Sequence, residues 1–150
     1  MEMQMTPQEN AQVVTQVLRA IEDRRLERLR ELYHPEIEFH WQPGLPYGGS
    51  FSGPEVATMN EAFAQIWFPL QPDAETRRMD PRVLATGNDG RVIVNYLWRG
   101  LHPRGRRFET ETLADYQVRD GRLARAQMFY FDLAGMITFL EEAEVARGDA

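Results

Sequence analysis

The stretch from Phe108 to Asp132 constrains the fold most, because it has the pattern of two long strands joined by a tight turn. In its first half, small and apolar side chains alternate at period two with polar ones, and only Leu113 interrupts the polar face. Asp120-Gly121 then supplies residues that tolerate the positive φ of a chain reversal. A second strand, rich in aromatic residues, returns from Leu123 to Phe131. The sequence therefore predicts a long antiparallel hairpin with one apolar face that the remaining chain has to cover.

The remainder of the chain predicts helices and shorter strands. A capping box at Thr6-Pro7-Gln8-Glu9 opens a long helix, and a shorter helix follows and ends at His34-Pro35. A third helix begins near Pro54, and a terminal helix is predicted from Leu133 to Val145. The segment 42–53 is dense in Gly and Pro, which favours a loop. Alternating patterns predict three further strands, at residues 36–41, 79–85 and 91–100.

The order of these elements favours an α+β fold. Helices would segregate to one side of a mostly antiparallel sheet, and a strongly bent sheet wrapped around them would enclose an apolar, cone-shaped interior. The chain has 150 residues, so we expect one domain over residues 1–150.

The residue types that the chain lacks restrict its chemistry. There is no Cys, and all 17 basic residues are Arg, which excludes thiol nucleophiles, thiolate metal sites, Schiff bases and Walker-type phosphate loops. The three His residues show no ligand spacing, so we expect neither a metal nor a cofactor. A net charge of −6 argues against nucleic-acid binding. No apolar run approaches the roughly 18 residues of a membrane helix, and no signal-peptide pattern opens the chain, so we expect a cytoplasmic protein.

Three stretches carry a resemblance to a known family. The first runs from Leu26 to Phe39, and its matching residues are Leu26-Glu27, Leu32-Tyr33, Pro35-Glu36-Ile37 and Phe39. The second is the Gly-rich loop from Pro46 to Glu55, and the third is Val118 to Leu123. Together they resemble the SnoaL-like branch of the NTF2-like superfamily, which includes ketosteroid isomerases and polyketide cyclases. The resemblance implies a cystatin-like α+β cone with a ligand cavity for a small hydrophobic molecule, and often a homodimer.

The catalytic positions of these enzymes can be carried over onto this sequence. Ketosteroid isomerases place a Tyr on the first helix, where this chain has Val17, and a proton-shuttling Asp at the end of the first strand, where it has Trp41. Their second Asp, and the catalytic Asp of the polyketide cyclases, fall on Ala114. The catalytic Asp of the related limonene epoxide hydrolases falls on Phe129. The resemblance thus implies the scaffold without the usual catalytic carboxylates.

The remaining polar residues give only weak catalytic candidates. His40 could be a base near the cavity mouth, but its neighbours Phe39 and Trp41 compete for the inward face. Asp115 could serve as a catalytic carboxylate, but the alternation of side chains along its predicted strand places it on the polar face. Four arginines interleave with acidic residues, which is more typical of a solvated face with ion pairs than of a binding patch: Arg24, Arg25, Arg28 and Arg30.

Aromatic residues on four predicted strands are the candidates for a ligand site. We expect a cavity for a hydrophobic ring compound to be lined by Trp41, Tyr96, Trp98, Tyr116 and Phe129. The alternative is that these side chains only fill the core, as aromatic stripes often do. On the outer face of the sheet, the polar pattern is interrupted by Ile93, Leu97 and Leu113, which predicts a homodimer through that face.

Two classes of function remain open at this point. The first is a small cofactor-independent enzyme, an isomerase, cyclase or hydrolase-like lyase, that transforms a hydrophobic ring compound. The second is a non-catalytic ligand-binding or dimeric scaffold protein. A proton-transfer enzyme needs an ionisable group that faces the cavity, whereas a binding protein needs none.

Overall fold

The computed structural model describes residues 5–148, which form five α-helices, one short 3-10 helix (Phe68–Leu70) and six strands. The helices are α1 (Pro7–Glu22), α2 (Leu26–Leu32), α3 (Glu55–Trp67), the short α4 (Ala74–Arg77) and α5 (Leu133–Gly148). The strands are β1 (Tyr33–Trp41), β2 (Gly49–Ser52), β3 (Arg82–Thr86), β4 (Arg91–Leu101), β5 (Arg107–Arg119) and β6 (Arg122–Tyr130). Within the described residues, no helix combines the length and the apolar character that crossing a membrane requires.

The six strands form one bent, unclosed sheet in the order β2-β1-β6-β5-β4-β3. Neighbouring strands are antiparallel except for β1 and β6, which run parallel. The predicted hairpin is confirmed as β5 and β6, and both residues of its turn have positive φ, 54° at Asp120 and 74° at Gly121. The α+β fold with a mostly antiparallel sheet is likewise confirmed.

Helix α1 lies on the inner face of the sheet. Its capping box is present, with the Glu9 N–H donating to Thr6 Oγ1 at 3.1 Å and the Thr6 N–H donating to Glu9 Oε1 at 3.1 Å. The buried side of α1 includes Val13, Val14, Val17 and Leu18. Helix α3 lies against β1 and β2. The strands bury their inward residues against these helices, and the interior is therefore enclosed between the sheet, α1 and α3.

Two short elements differ from the sequence expectations. The segment expected to be a loop contains β2, which pairs antiparallel with β1 through contacts such as Phe51 with Phe39. This edge strand is too short and too polar to show a periodic pattern. Helix α4 was also not anticipated, and it depends on a local cap in which Asp73 Oδ1 accepts from the Thr76 N–H at 2.8 Å.

Candidate functional site

A narrow cavity lies between α1, α3 and the inner face of the sheet. Its volume is about 60 Å³, counted as the space that the centre of a water-sized molecule can reach. Helix α1 contributes Val17, Ala20 and Ile21, and aliphatic residues such as Leu29 and Met128 close other sides. Among the residues that line the cavity, Leu26 is the most exposed to solvent, at 42%. The cavity therefore opens beside the link between α1 and α2.

Aromatic rings form the main walls of this cavity. The Trp41 ring stacks on Phe63 with centroids 5.3 Å apart and an interplanar angle of 24°. Phe63 in turn contacts Trp98 at 5.4 Å. The Trp41 indole is held by a 2.8 Å contact from Nε1 to the sulfur of Met59. These mutual contacts fix the rings in place, so the cavity presents a flat and rigid apolar surface.

All five tyrosines of the chain converge on the cavity and on the core behind it. Tyr33, Tyr96 and Tyr116 line the cavity directly. The hydroxyls of Tyr96 and Tyr116 interact with each other, and Asn60 of α3 interacts with the Tyr33 hydroxyl. Behind them, the hydroxyl oxygens of the two remaining tyrosines, Tyr47 and Tyr130, lie 3.1 Å apart.

Burial determines the ionisation of these phenols. It raises the pKa of each cavity tyrosine above the ordinary value of 10.0, because the anionic form would lose its hydration in the apolar interior. Near pH 7 the three hydroxyls are therefore neutral. They can donate or accept hydrogen bonds from a ligand, but they are poor bases.

Arg24 provides a cation at the cavity opening. It follows α1 in a left-handed conformation with φ 56°, and its Nη2 donates to the carbonyl oxygen of Phe68 at 3.0 Å and to that of Gln71. The guanidinium carbon lies 4.2 Å from the centroid of the Phe68 ring. The expectation of a solvated face is correct for Arg25 and Arg30, which are exposed, and wrong for Arg24, because the left-handed backbone turns it away from the helical face.

Four of the five predicted ligand residues lie around the cavity. Trp41, Tyr96, Trp98 and Tyr116 line it, whereas Phe129 does not. Phe129 is 38% exposed and pairs with Leu113 on the outer face of the sheet. The inward placement of Phe129 was wrong because alternation in β6 turns its neighbours, the buried Met128 and Tyr130, toward the interior instead.

The two weak catalytic candidates lie on the opposite side of the sheet from the cavity. Since Phe39 and Trp41 point inward, His40 points outward, where its Nδ1 lies 2.8 Å from the hydroxyl oxygen of Ser50. Asp115 also points outward and binds Arg91 through two hydrogen bonds of 2.9 Å each. The structure therefore gives neither residue access to a ligand in the cavity.

No acidic or imidazole side chain lines the cavity among residues 5–148. The polar lining consists of Arg24, Asn60, Tyr33, Tyr96 and Tyr116. In the same part of the chain, His, Asp and Glu side chains form no group of three that could hold a metal ion. The cavity can therefore orient a ligand by hydrogen bonds and by one positive charge.

Comparisons with solved structures agree with this fold. TerC co-crystallized with polyporic acid superposes with a TM-score of 0.73 at 19% identity, over 89% of this chain and 98% of that one. IdmH, a candidate polyketide cyclase from Streptomyces antibioticus, gives 0.66 at 22% identity, over 88% and 98%. A Xanthomonas campestris protein of unknown function with a cystatin-like fold gives 0.73 at 17% identity, over 87% and 97%. These identities establish a shared fold.

Sequence comparison identifies the family. No curated protein matches the chain. The sequence model of the SnoaL-like domain, however, matches residues 14–126, which include most of α1, the sheet up to the middle of β6 and nearly the whole cavity lining. The chain therefore belongs to the SnoaL-like domain family.

Proposed function

We propose that this protein binds a flat, largely apolar ring compound in the cavity. The observation that carries the proposal is the shape and chemistry of the lining, a narrow space with stacked aromatic walls and a few neutral hydroxyls. A flat ring fills such a space through contacts with Trp41, Phe63 and Trp98. Each aromatic pair contributes about 1 kcal/mol beyond the burial of apolar area.

The polar lining would fix the orientation of the ring. A few convergent hydrogen-bonding groups in an apolar pocket are what gives a small-molecule site its specificity. Here these groups are the neutral hydroxyls of Tyr33, Tyr96 and Tyr116. A carbonyl or hydroxyl on the ligand can pair with them.

Transformation of the ligand is the second candidate function. Fold relatives include the candidate polyketide cyclase IdmH, and neutral phenols such as Tyr96 can polarise a carbonyl by donating a hydrogen bond. Proton abstraction next to that carbonyl also needs a base, and no carboxylate or imidazole lines the described cavity. This favours binding, or an isomerase- or cyclase-like step in which the substrate supplies its own reacting groups.

We also propose that the protein is a homodimer through the outer face of the sheet. That face carries the half-buried Ile93, Leu97 and Leu113 beside Phe129 and Phe131, which are 38% and 62% exposed. A monomer rarely leaves a contiguous apolar patch in water. Dimerisation would cover these side chains without obstructing the cavity on the other face.

The binding proposal is tested by replacing one cavity aromatic and one outer aromatic with Ala. The probe is 2-acetylnaphthalene, a flat neutral ketone, and the affinity is measured by isothermal titration calorimetry. Trp98→Ala should weaken binding about tenfold or more, since it removes an aromatic wall. Phe129→Ala, the matched control on the outer face, should leave the affinity unchanged.

The melting temperatures of both variants separate a lost wall from a lost fold. Truncation of a buried aromatic that is only core packing costs about 3–5 kcal/mol of stability. Weakened binding by a Trp98→Ala protein that still melts cooperatively above the assay temperature supports the proposal. A wild-type protein that binds neither this probe nor other flat ring ketones would contradict it.

A further inference from the structure

Two cavity-lining residues, Arg24 and Trp98, each have a buried N–H donor without an acceptor among residues 5–148. A guanidinium has five N–H donors and no acceptor, and an indole has one donor and no acceptor. Arg24 uses both hydrogens of Nη2 on the carbonyls of Phe68 and Gln71. Its buried Nε finds no partner within residues 5–148. The indole N–H of Trp98, which is 4% exposed, is equally unpartnered among these residues.

Unpartnered donors of this kind are rare in folded proteins. More than about 90% of buried polar groups have a hydrogen-bond partner, because removing an N–H from water without a new acceptor is costly. Two backbone carbonyls and the Phe68 ring hold the guanidinium in place while its Nε stays buried. Arg24 is thus fixed in an orientation that leaves donor capacity unused.

The charge of Arg24 is also unbalanced. No carboxylate oxygen of residues 5–148 lies within 4.0 Å of its guanidinium, whereas eight other arginines in this part of the chain are in ion pairs, such as Arg28 with Glu31 at 2.8 Å. The neighbouring charge is another arginine, Arg77. Burial first, and the positive charge of Arg77 second, lower the pKa of Arg24. An anion at this end of the cavity would therefore be stabilised by both cations.

We infer that the natural ligand is a flat ring compound that carries an ionised oxygen group, a carboxylate or an enolate, and that this group binds Arg24 at the cavity opening. The inference rests on the proposed function, because it describes the ligand of that same cavity. An oxygen of a carboxylate or enolate supplies the acceptor that the buried Nε of Arg24 lacks. A second acceptor on the ring, such as a carbonyl oxygen, complements the donor surplus at Trp98. The ring itself lies against the aromatic walls.

Two matched pairs of probes test the charge requirement. In the first pair, 2-naphthoate and 2-naphthamide share one ring system, and only the naphthoate is an anion. In the second pair, 2-hydroxy-1,4-naphthoquinone is an enolate at neutral pH, whereas its 2-methoxy ether has the same rings and is neutral. The absence of Cys and Lys removes the side chains that quinones modify most readily. Calorimetry should show tighter binding of at least one anion than of its neutral partner, by about 10- to 100-fold, as expected for charge-assisted hydrogen bonds. The pair that shows the preference distinguishes carboxylate from enolate.

Three variants locate the preference. Arg24→Gln should abolish it, and Arg25→Gln, which removes the same charge from the adjacent exposed residue, should retain it. Arg24→Gly should also abolish it, and this variant guards against misfolding because Gly accepts the φ of 56° without strain. Loss in both Arg24 variants with retention in Arg25→Gln supports the inference.

The outcomes that would overturn the inference are separate from those that would overturn the proposed function. If the wild type binds each anion and its neutral partner equally, the cavity binds rings without a charge requirement, and only the inference fails. The inference also fails if the preference persists in both Arg24 variants. If no probe binds at all, the proposed function fails and the inference fails with it.

Discussion

The hydroxyl groups of the cavity tyrosines determine what this site can do at the scale of single residues. Tyr33, Tyr96 and Tyr116 are held neutral by burial, which is the largest influence on the pKa of each. In the folded protein, these phenols keep their protons at every pH below the ordinary tyrosine pKa. The three hydroxyls therefore act as fixed hydrogen-bonding groups rather than as acids or bases that titrate.

Alkaline titration gives a prediction at this scale. A folded-state pKa above the unfolded value of 10.0 means that the folded protein holds its phenol protons more tightly than the unfolded chain. The stabilisation is complete below pH 10 and is lost as the pH rises through the folded-state values. We expect tyrosinate absorbance in the near ultraviolet to be absent from the native protein slightly above pH 10 and to appear together with unfolding.

The control for this titration is the same chain in concentrated urea, where all five tyrosines should ionise near pH 10. Circular dichroism recorded in parallel shows whether ionisation and unfolding coincide. A smooth native titration of the tyrosines near pH 10, with the secondary structure intact, would show that these hydroxyls are accessible to solvent.

At the scale of helices and strands, a glycine in one turn allows that turn to pack against a neighbouring strand. Gly90, in the turn between β3 and β4, has φ 87°, and its carbonyl accepts a 2.8 Å hydrogen bond from the Val118 N–H at the end of β5. A Cβ at Gly90 would lie 2.2 Å from the Val118 carbonyl oxygen. This turn therefore packs directly against the end of the predicted hairpin.

We predict that Gly90→Ala is much more destabilising than Gly105→Ala. Gly105 has a similar φ of 97° in the turn between β4 and β5, but no atom lies within 4 Å of a Cβ placed there. Both substitutions pay the strain of positive φ, about 1–2 kcal/mol. Gly90→Ala adds a backbone clash, about 1–3 kcal/mol more. Urea denaturation measures the difference, and equal unfolding free energies would contradict the proposed packing of this turn.

The sequence predicted the elements with long periodic patterns and missed the features that depend on local backbone geometry. The hairpin was predictable because β5 alternates over its whole length. Phe129 was assigned to the wrong face because three consecutive aromatic residues give no polar position to identify the exposed side. Arg24 was missed because a left-handed φ at a non-glycine residue has no sequence signature. Asn60 had a usable signal, since it lies three residues before the buried-side Phe63 on α3.

The two faces of the sheet have different roles at the scale of the whole molecule. The inner face carries the cavity aromatics, and the outer face carries charged pairs such as Arg91 with Asp115 around an apolar patch. Leu113 lies on β5, an interior strand of the sheet, and its side chain is beside Phe129. A partner docked on this patch would cover both residues.

We predict that light scattering gives about twice the monomer mass of 17.4 kDa. Leu113→Glu should shift the protein to the monomer, because a charge would be buried in the apolar contact. Thr58→Glu adds the same charge at an exposed position of α3 and should remain dimeric. A wild-type mass of 17.4 kDa at high protein concentration would rule out the dimer.

The parallel pairing of β1 with β6 has a consequence for the time course of folding. Tyr33 of β1 is paired with Leu123 of β6, so the strands β2 to β5 and the helix α3 all intervene between the two partners along the chain. A ribosome makes β1 before β6, so β1 lacks its interior neighbour until the intervening elements have also been synthesised. Contacts between such distant segments slow folding, and β1 stays exposed to wrong partners in the meantime. Because Leu123 and Met128 of β6 belong to the cavity lining, a nascent chain can form this cavity only after β6 has been synthesised.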